Sequence, residues 1–248
     1  MAERIFKTEG LVLRTRVLGE ADRLITLLTL NHGKFAAVAR GARKIKSKLA
    51  AGVDIFTYGT YTFHRGRTWP IITGLDTIER FPWFREDPEL YPYGSYMAEL
   101  TDRLVIGEEP SPAIFELLLD GWRMLGESKE KFLLCRAFEL KLAHSAGYSP
   151  CLDFCAMCGS DNWGSEKGLT FSPREGGLLC FGCQGAGLIK LDSGTVALAR
   201  RLLETPLSQV KMIRPSTRQK QELTRMNSLF LAYHLDLGDL KSRHLLSE

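Results

Sequence analysis

Four cysteines in two matching pairs constrain this chain more than any other feature. Cys155-Ala156-Met157-Cys158 and Cys180-Phe181-Gly182-Cys183 are C-x-x-C knuckles with 21 residues between them. Two residues between thiolates let both sulfurs face one tetrahedral ion, while the amides of the turn steady the negative charge. Four soft sulfurs leave no open coordination position, so Cys155, Cys158, Cys180 and Cys183 are expected to hold one structural Zn²⁺. The interval exceeds the usual one for paired knuckles by a residue, which a loop absorbs. Leu169 to Ser172 and Gly177 to Leu179 read as a short hairpin between the knuckles, as in a zinc ribbon. The blander alternative is four metal-free thiols, which the paired spacing argues against. Cys151 reads as a packed or spare thiol and Cys135, on an apolar helix face, as core.

A catalytic metal would need more. Nucleic-acid deaminases combine H-x-E with P-C-x-x-C, and none of His32, His64, His144, His234 and His244 has a glutamate two residues on. Neither a P-loop, a G-x-S-x-G nor a G-x-G-x-x-G occurs. The chemistry points away from an enzyme.

At 248 residues, 44% apolar and 25% charged, the chain has room for two or three folded modules, and disorder is excluded. No window of 18 residues is apolar and free of charge, and the start Met1-Ala2-Glu3-Arg4 lacks a signal-peptide core, so a cytoplasmic protein without membrane contact is expected. In that compartment thiols stay reduced, which again favours metal over disulfides.

Residues 11–75 carry five short strand signals: Leu11–Leu13, Leu24–Leu30, Phe35–Ala39, Phe56–Phe63 and Ile71–Leu75, separated by turn residues. They suggest a small barrel. Helical spacing follows: Tyr96–Ile106; a helix with Ser111 as N-cap, Pro112 first and Gly126 just past its end; one with Leu134, Phe138 and Leu142 in step, stopping at Gly147; one capped by Asp192; and one from about Thr217. The Pro- and aromatic-rich stretch from Phe81 to Pro92 is expected to break regular structure and offer apolar surface between modules. The reading is thus an α+β multidomain chain: a barrel at 1–80, helical parts at 81–149 and 191–248, and a metal-binding insertion at 150–190.

Charge is uneven. Residues 1–80 hold 14 Lys and Arg against 7 Asp and Glu, whereas the whole chain is only +4. Arg40-Gly41-Ala42-Arg43-Lys44-Ile45-Lys46-Ser47-Lys48 carries five cations and no acid, and Arg14, Arg16, Arg23, Lys34, Arg65 and Arg67 lie around the same strands. A solvated loop is one reading; a sequence-neutral phosphate-binding surface is the other. Because alternation sends about half of Phe35, Phe56, Tyr58, Tyr61, Phe63 and Trp69 into the barrel, none is assigned as a stacking platform. Basic patches at Arg200-Arg201 and Lys211–Lys220 leave open a second charged surface in the otherwise slightly acidic remainder. An RNA-binding or transcription adaptor with a zinc ribbon would share the barrel and knuckle.

Glu9-Gly10-Leu11-Val12-Leu13-Arg14, Gly19-Glu20-Ala21-Asp22-Arg23-Leu24, Gly33-Lys34, Val38-Ala39-Arg40-Gly41-Ala42-Arg43-Lys44, Ala146-Gly147-Tyr148-Ser149-Pro150 and the two knuckles together resemble, in order along the whole chain, the bacterial RecO family of DNA repair and recombination proteins. The resemblance implies an N-terminal OB-fold and a helical C-terminal domain with an inserted zinc finger. It implies binding of single- and double-stranded DNA, annealing of complementary strands, and action with RecR and RecF in loading RecA onto DNA coated by single-stranded-DNA-binding protein (SSB). It further implies contact between the helical part and the SSB tail, and a place at the nucleoid.

Overall fold

A computed structural model of the protein describes residues 4–163, 169–235, 240 and 242. Met1 to Glu3 and His244 lie outside the described residues. The chain forms two compact units, Met1–Gly126 with Lys241–Ser247, and Glu127–Leu240.

In the first unit, β1 (Ile5–Leu18), β2 (Asp22–Thr29), β3 (Gly33–Ala39), β4 (Tyr58–His64) and β5 (Ile71–Glu79) close a barrel in the order β1-β2-β3-β5-β4. This is the five-stranded, OB-like module that the strand signals and the resemblance led us to expect. All neighbours are antiparallel except β3 and β5, which meet in parallel at Val38 and Ile71. β1 outruns its three-residue apolar signal because both its edges pair, with β2 over Gly10–Leu18 and with β4 over Ile5–Leu11. A register shift between Val12 and Arg14 lets it bend round the barrel. Alternation sends Val12, Ile25, Leu27, Ala37, Ala39, Tyr61, Phe63 and Ile72 into the core. The one polar group among them, the Tyr61 hydroxyl, donates to the Gly52 carbonyl at 2.9 Å, so its burial leaves no unmet donor.

Among the described residues three α-helices follow the barrel in this unit: α1 (Trp83–Glu86), α2 (Leu90–Leu104) and α3 (Pro112–Glu127). The stretch from Phe81 to Pro92 supplies apolar surface and interrupts regular structure at 80–82 and 87–89, with the single turn of α1 between the two breaks. Pro92 is the third residue of α2, where a missing N–H costs nothing, so α2 starts six residues earlier than Tyr96. Phe56, Phe81, Phe84 and Trp122 pack edge-to-face and tilted, with centroids 4.2–6.4 Å apart, and join the barrel to α1 and α3. Arg123 of α3 donates twice to Glu79 of β5, at 2.9 and 3.0 Å. The first compact unit therefore runs to residue 126, beyond the composition break at 80. Ser111 accepts the first helical bond of α3 through its carbonyl, from Phe115 at 3.0 Å. Gly126 lies inside α3, not past it: a Cβ there would stand 2.7 Å from the Trp83 ring. It is glycine for close packing, not for ending the helix.

The second unit contains α4 (Lys131–Ser145), β6 (Leu169–Ser172), β7 (Gly177–Leu179), β8 (Ile189–Leu191), α5 (Ser193–Glu204), α6 (Leu207–Val210) and α7 (Thr217–His234). Asp192 caps α5, accepting from the Gly194 amide at 2.8 Å. Ser216 and Gln219 form a reciprocal capping box on α7. α4 is buried all round and brings Arg136 and Glu139 into the interior as a 2.9 Å pair, their side chains 3% and 1% exposed. Asn227 of α7 donates to Glu139 at 2.8 Å and to the Arg136 carbonyl at 3.0 Å, tying the two helices through the pair. Cys135 is buried, and that burial holds its thiol protonated, far above the ordinary range.

Candidate nucleic-acid interface and metal centre

The cation-rich loop leaves the barrel after β3 and is fastened at its base. The Gly41 amide donates to Asp22 Oδ1 at 2.8 Å, the Arg43 amide to the Ala21 carbonyl at 2.9 Å, and Ala42 is buried in the barrel core. Beyond that base a series of turns, Lys44 to Gly41 at 3.1 Å and Ser47 to Lys44 at 2.9 Å, carries the side chains outward. Ile45 at the apex is fully exposed, and Arg40, Arg43, Lys44, Lys46 and Lys48 are exposed around it.

The eleven cations named from the sequence divide into two sets. Arg23 is held by Asp54, which also meets Arg85 at 3.4 Å. Lys34 lies 3.0 Å from Asp102 Oδ1 and also donates to the Asp102 carbonyl, with its side chain 18% exposed. Arg14 stands 3.6 Å from the same Asp102. Arg43 donates to the carbonyls of Gly19 and Glu20 at 3.2 and 2.9 Å, bracing the loop against the β1–β2 turn. These four are occupied within the fold. Arg16, Arg40, Lys44, Lys46, Lys48, Arg65 and Arg67 are exposed and, among the described residues, have no carboxylate within ion-pair distance. Four of those seven, Arg40, Lys44, Lys46 and Lys48, share one loop. Asp54 and Asp102 are the carboxylates that do the sorting. Nothing local in the sequence marks Asp54 or Asp102 as partners of Arg23 and Lys34, which lie 31 and 68 residues away.

In the basic patches of the second unit four cations are paired, while Arg201 is exposed with no carboxylate within ion-pair distance among the described residues. Arg200 pairs with Asp153 at 2.9 Å, Lys211 with Glu127 at 3.4 Å, Arg218 with Glu222 at 2.7 Å and Lys220 with Glu130 at 3.3 Å. Glu222 also accepts from the Asp192 amide and the Thr195 hydroxyl, both at 2.7 Å. Its partial burial would raise the carboxyl, but these donors and Arg218 hold it below the ordinary range.

The knuckles converge. The four sulfurs of Cys155, Cys158, Cys180 and Cys183 lie within 4.8 Å of one another, Cys158 and Cys180 at 3.6 Å. Tetrahedral zinc with bonds of about 2.3 Å needs sulfurs about 3.8 Å apart, so the residues fit the ion. The expected hairpin of β6 and β7 is present, and β8, not anticipated, adds a third strand in the order β7-β6-β8. The first knuckle is hung on this sheet: the Ala156 amide donates to Leu178 O at 2.8 Å and the Gly159 amide to Cys155 O at 2.8 Å. Gly177 makes the approach possible, since a Cβ would fall 2.5 Å from the Cys151 carbonyl and 2.9 Å from the Ala156 methyl. Cys151 is thus a backbone partner of β7, its thiol donating to Phe154 O at 3.2 Å, and it lies outside the thiol cluster.

Without a cation the four thiols cannot all ionise together. Burial pushes Cys155 up, yet the amides of Cys180, Cys158 and Met157 outweigh it and bring the thiol down to about 6. Cys158 and Cys183 are driven the other way: hydrogen bonds with the Cys180 and Cys158 thiols, with a smaller contribution from burial, push Cys183 up to about 12. A divalent cation removes that conflict by taking all four as thiolates, releasing protons as it binds.

With this geometry in place, comparison with known proteins adds the following. The family model described as "Recombination protein O N terminal" matches residues 1–81, and that described as "Recombination protein O C terminal" matches residues 85–244. The chain is 35% identical over 242 residues to a DNA repair protein RecO of Pelotomaculum thermopropionicum, covering 96% of this chain and 92% of that one. It is 33% identical over 245 residues to a protein of the same name from Symbiobacterium thermophilum, covering 98% and 96%. A third, from a Roseiflexus strain, is 38% identical over 237 residues, covering 94% and 81%.

Proposed function

We propose that this chain, which belongs to the RecO family of DNA repair and recombination proteins, is a non-enzymatic DNA-binding mediator. It grips the phosphate backbones of single- and double-stranded DNA through the barrel's exposed cations and anneals complementary strands. With RecR and RecF it helps load RecA onto SSB-coated DNA, in the cytoplasm at the nucleoid. The helical part receives the SSB tail.

The observation that carries this reading is the loop bearing Arg40, Lys44, Lys46 and Lys48: four exposed cations on a fastened base, with no acid against them among the described residues. Two complementary strands repel through their phosphates, and a protein that anneals them must screen that repulsion without reading bases. Cations on a loop do so by displacing condensed counterions, each contact contributing about −0.7 to the log-log salt slope for single strands and −0.9 for duplex. No bond is made or broken, so no nucleotide hydrolysis is required.

The four-cysteine centre serves the fold in this reading. Cys155, Cys158, Cys180 and Cys183 would hold one Zn²⁺, which supplies a coordinate cross-link between two turns and no open position. Around the knuckles the apolar cluster is small, Cys155, Leu179 and Cys180 with the side chains against them, while Phe171, Leu178, Ile189 and Leu191 of the ribbon are buried as well. The metal would reinforce the ribbon at that small cluster.

The test is strand annealing. Full-length, metal-loaded protein is expected to accelerate pairing of complementary single strands at low salt without nucleotide, and to lose the effect as salt rises. Folded protein that leaves the annealing rate unchanged at low salt would overturn the reading.

A further inference from the structure

We propose that a recess at the mouth of the barrel takes one unstacked nucleobase of a single strand, and so adds a single-strand preference to the phosphate grip. The inference rests on the DNA-binding reading above and assigns it a second, chemically different contact.

The recess measures about 250 Å³ and is lined by Phe6, His32, Phe35, Arg65, Thr68 and Glu108, among others. Its floor follows from strand register. Phe6 of β1 lies opposite Phe63 of β4, and Phe63 is fully buried, with its ring stacked against Phe6 at 5.0 Å and 22°. Phe35 meets Phe63 edge-on at 5.1 Å. Phe63 fills the barrel end from inside, leaving Phe6 and Phe35 half-buried above it. Two aromatic rings are thus presented at the mouth by a packed core and cannot collapse inward.

The walls are fixed as firmly. His32 sits in the β2–β3 turn with its ring 4.8 Å from Phe6. Buried Thr29 braces that turn, its hydroxyl donating to Gly33 O at 2.7 Å and accepting from the His32 amide at 3.2 Å. Gly33, with φ +60°, brings in the opposite wall: a Cβ there would stand 2.4 Å from the Glu108 carbonyl carbon, and the next amide, Lys34, donates to Gly107 O at 3.0 Å. Glu108 thereby reaches the recess from the segment after α2. On the β4–β5 turn the Arg65 guanidinium stands 6.0 Å over the Phe6 ring, at the outer limit of a cation–π contact.

These groups match a nucleotide better than an apolar peptide side chain. Aromatic faces stack any base. Arg65 and its neighbour Arg67, both exposed and without carboxylate partners among the described residues, meet the attached phosphates. Glu108 is an acceptor at the rim, suited to the exocyclic amine that cytosine, adenine and guanine carry and thymine lacks. A paired base is stacked on both faces, with its Watson–Crick edge occupied, so duplex DNA engages only the cations.

The experiment compares the full-length protein with His32→Ala, Phe6→Leu and Glu108→Gln, using oligo-dC, oligo-dT and mixed-sequence duplex probes in fluorescence anisotropy. A single strand containing 2-aminopurine reports stacking. His32→Ala and Phe6→Leu are each expected to weaken single-strand binding about tenfold, leave duplex binding within about twofold, and abolish the 2-aminopurine quenching given by the parent protein. Glu108→Gln is expected to erase a preference for oligo-dC over oligo-dT. Deoxycytidine monophosphate should restore the 2-aminopurine emission and N-acetylphenylalaninamide should not; the reverse would assign the recess to a peptide side chain and overturn the proposal. So would unchanged single-strand affinity and quenching in His32→Ala, whose substitution on an exterior turn leaves the core intact. In that case, duplex and single-strand binding that still depends on the cationic loop leaves the mediator reading standing; binding indifferent to both sets of substitutions removes both.

Discussion

The cationic loop of the barrel and the basic patches of the helical unit look alike as sequence and differ in how many of their cations a carboxylate meets, although Arg201 of the helical unit is exposed and meets none among the described residues. Arg200, Lys211, Arg218 and Lys220 each have a carboxylate in their own unit, and Arg136 is buried against one. Arg40, Lys44, Lys46 and Lys48 have none among the described residues. Charge that is met internally is neutral to a distant phosphate and contributes to the fold; charge left unmet contributes little to the fold and is available to a polyanion. Within the barrel the same division separates Arg23 and Lys34 from the loop. A count of basic residues therefore overstates the cationic charge left unmet within the fold.

The comparison can be broken most severely at the cysteines. If the four cysteines hold the proposed metal, chelating it is expected to unfold the ribbon between Cys151 and Leu191, a loss on the order of 10 kcal/mol of metal-linked folding free energy, seen as vanished amide protection there in hydrogen exchange. Protection in β1–β5 and affinity for DNA should remain within a few-fold. Loss of DNA binding in step with the metal would show that the two halves are not separable in this way.

A smaller effect is expected at the buried pair. Glu139→Ala strands the Arg136 charge in the interior and should cost about 3–5 kcal/mol in urea unfolding, with DNA affinity at permissive temperature unchanged. If stability falls by less than about 1 kcal/mol, the helical unit does not depend on its internal charge pairing.

The smallest contrast is the sharpest. Lys34→Ala removes a charge-assisted contact with Asp102 and should lower stability by about 1.5 kcal/mol while leaving the salt slope alone. Lys46→Ala should leave stability within about 0.5 kcal/mol and reduce the single-strand slope by about 0.7. Equal behaviour of the two lysines would erase the distinction between the sets.

Much of this architecture is legible in the chain because it is written locally. Short apolar and β-branched runs between turn residues mark the five barrel strands, with period-two alternation in the fourth, Asp192 announces α5, and the knuckle spacing pairs the four cysteines. What escapes is set by residues far apart. Pro92 reads as a breaker until its place in the first turn of α2 is known, and Gly126 reads as a stop until Trp83 is seen against it. β8 is three residues long and gains its identity only by pairing with β6. Lys34 looks as available as Lys46, because Asp102 reaches it from a helix 68 residues on. The recess at the barrel mouth is invisible for the same reason: Phe6, His32, Arg65 and Glu108 share no motif.

The most direct test replaces Arg40, Lys44, Lys46 and Lys48 together by alanine and measures single-strand affinity across a salt series. The expected result is a log-log slope shallower by about 3, affinity lower by roughly three orders of magnitude at 0.1 M salt for every sequence alike, and an unfolding midpoint indistinguishable from the parent. An unchanged slope in a folded quadruple variant would contradict the account.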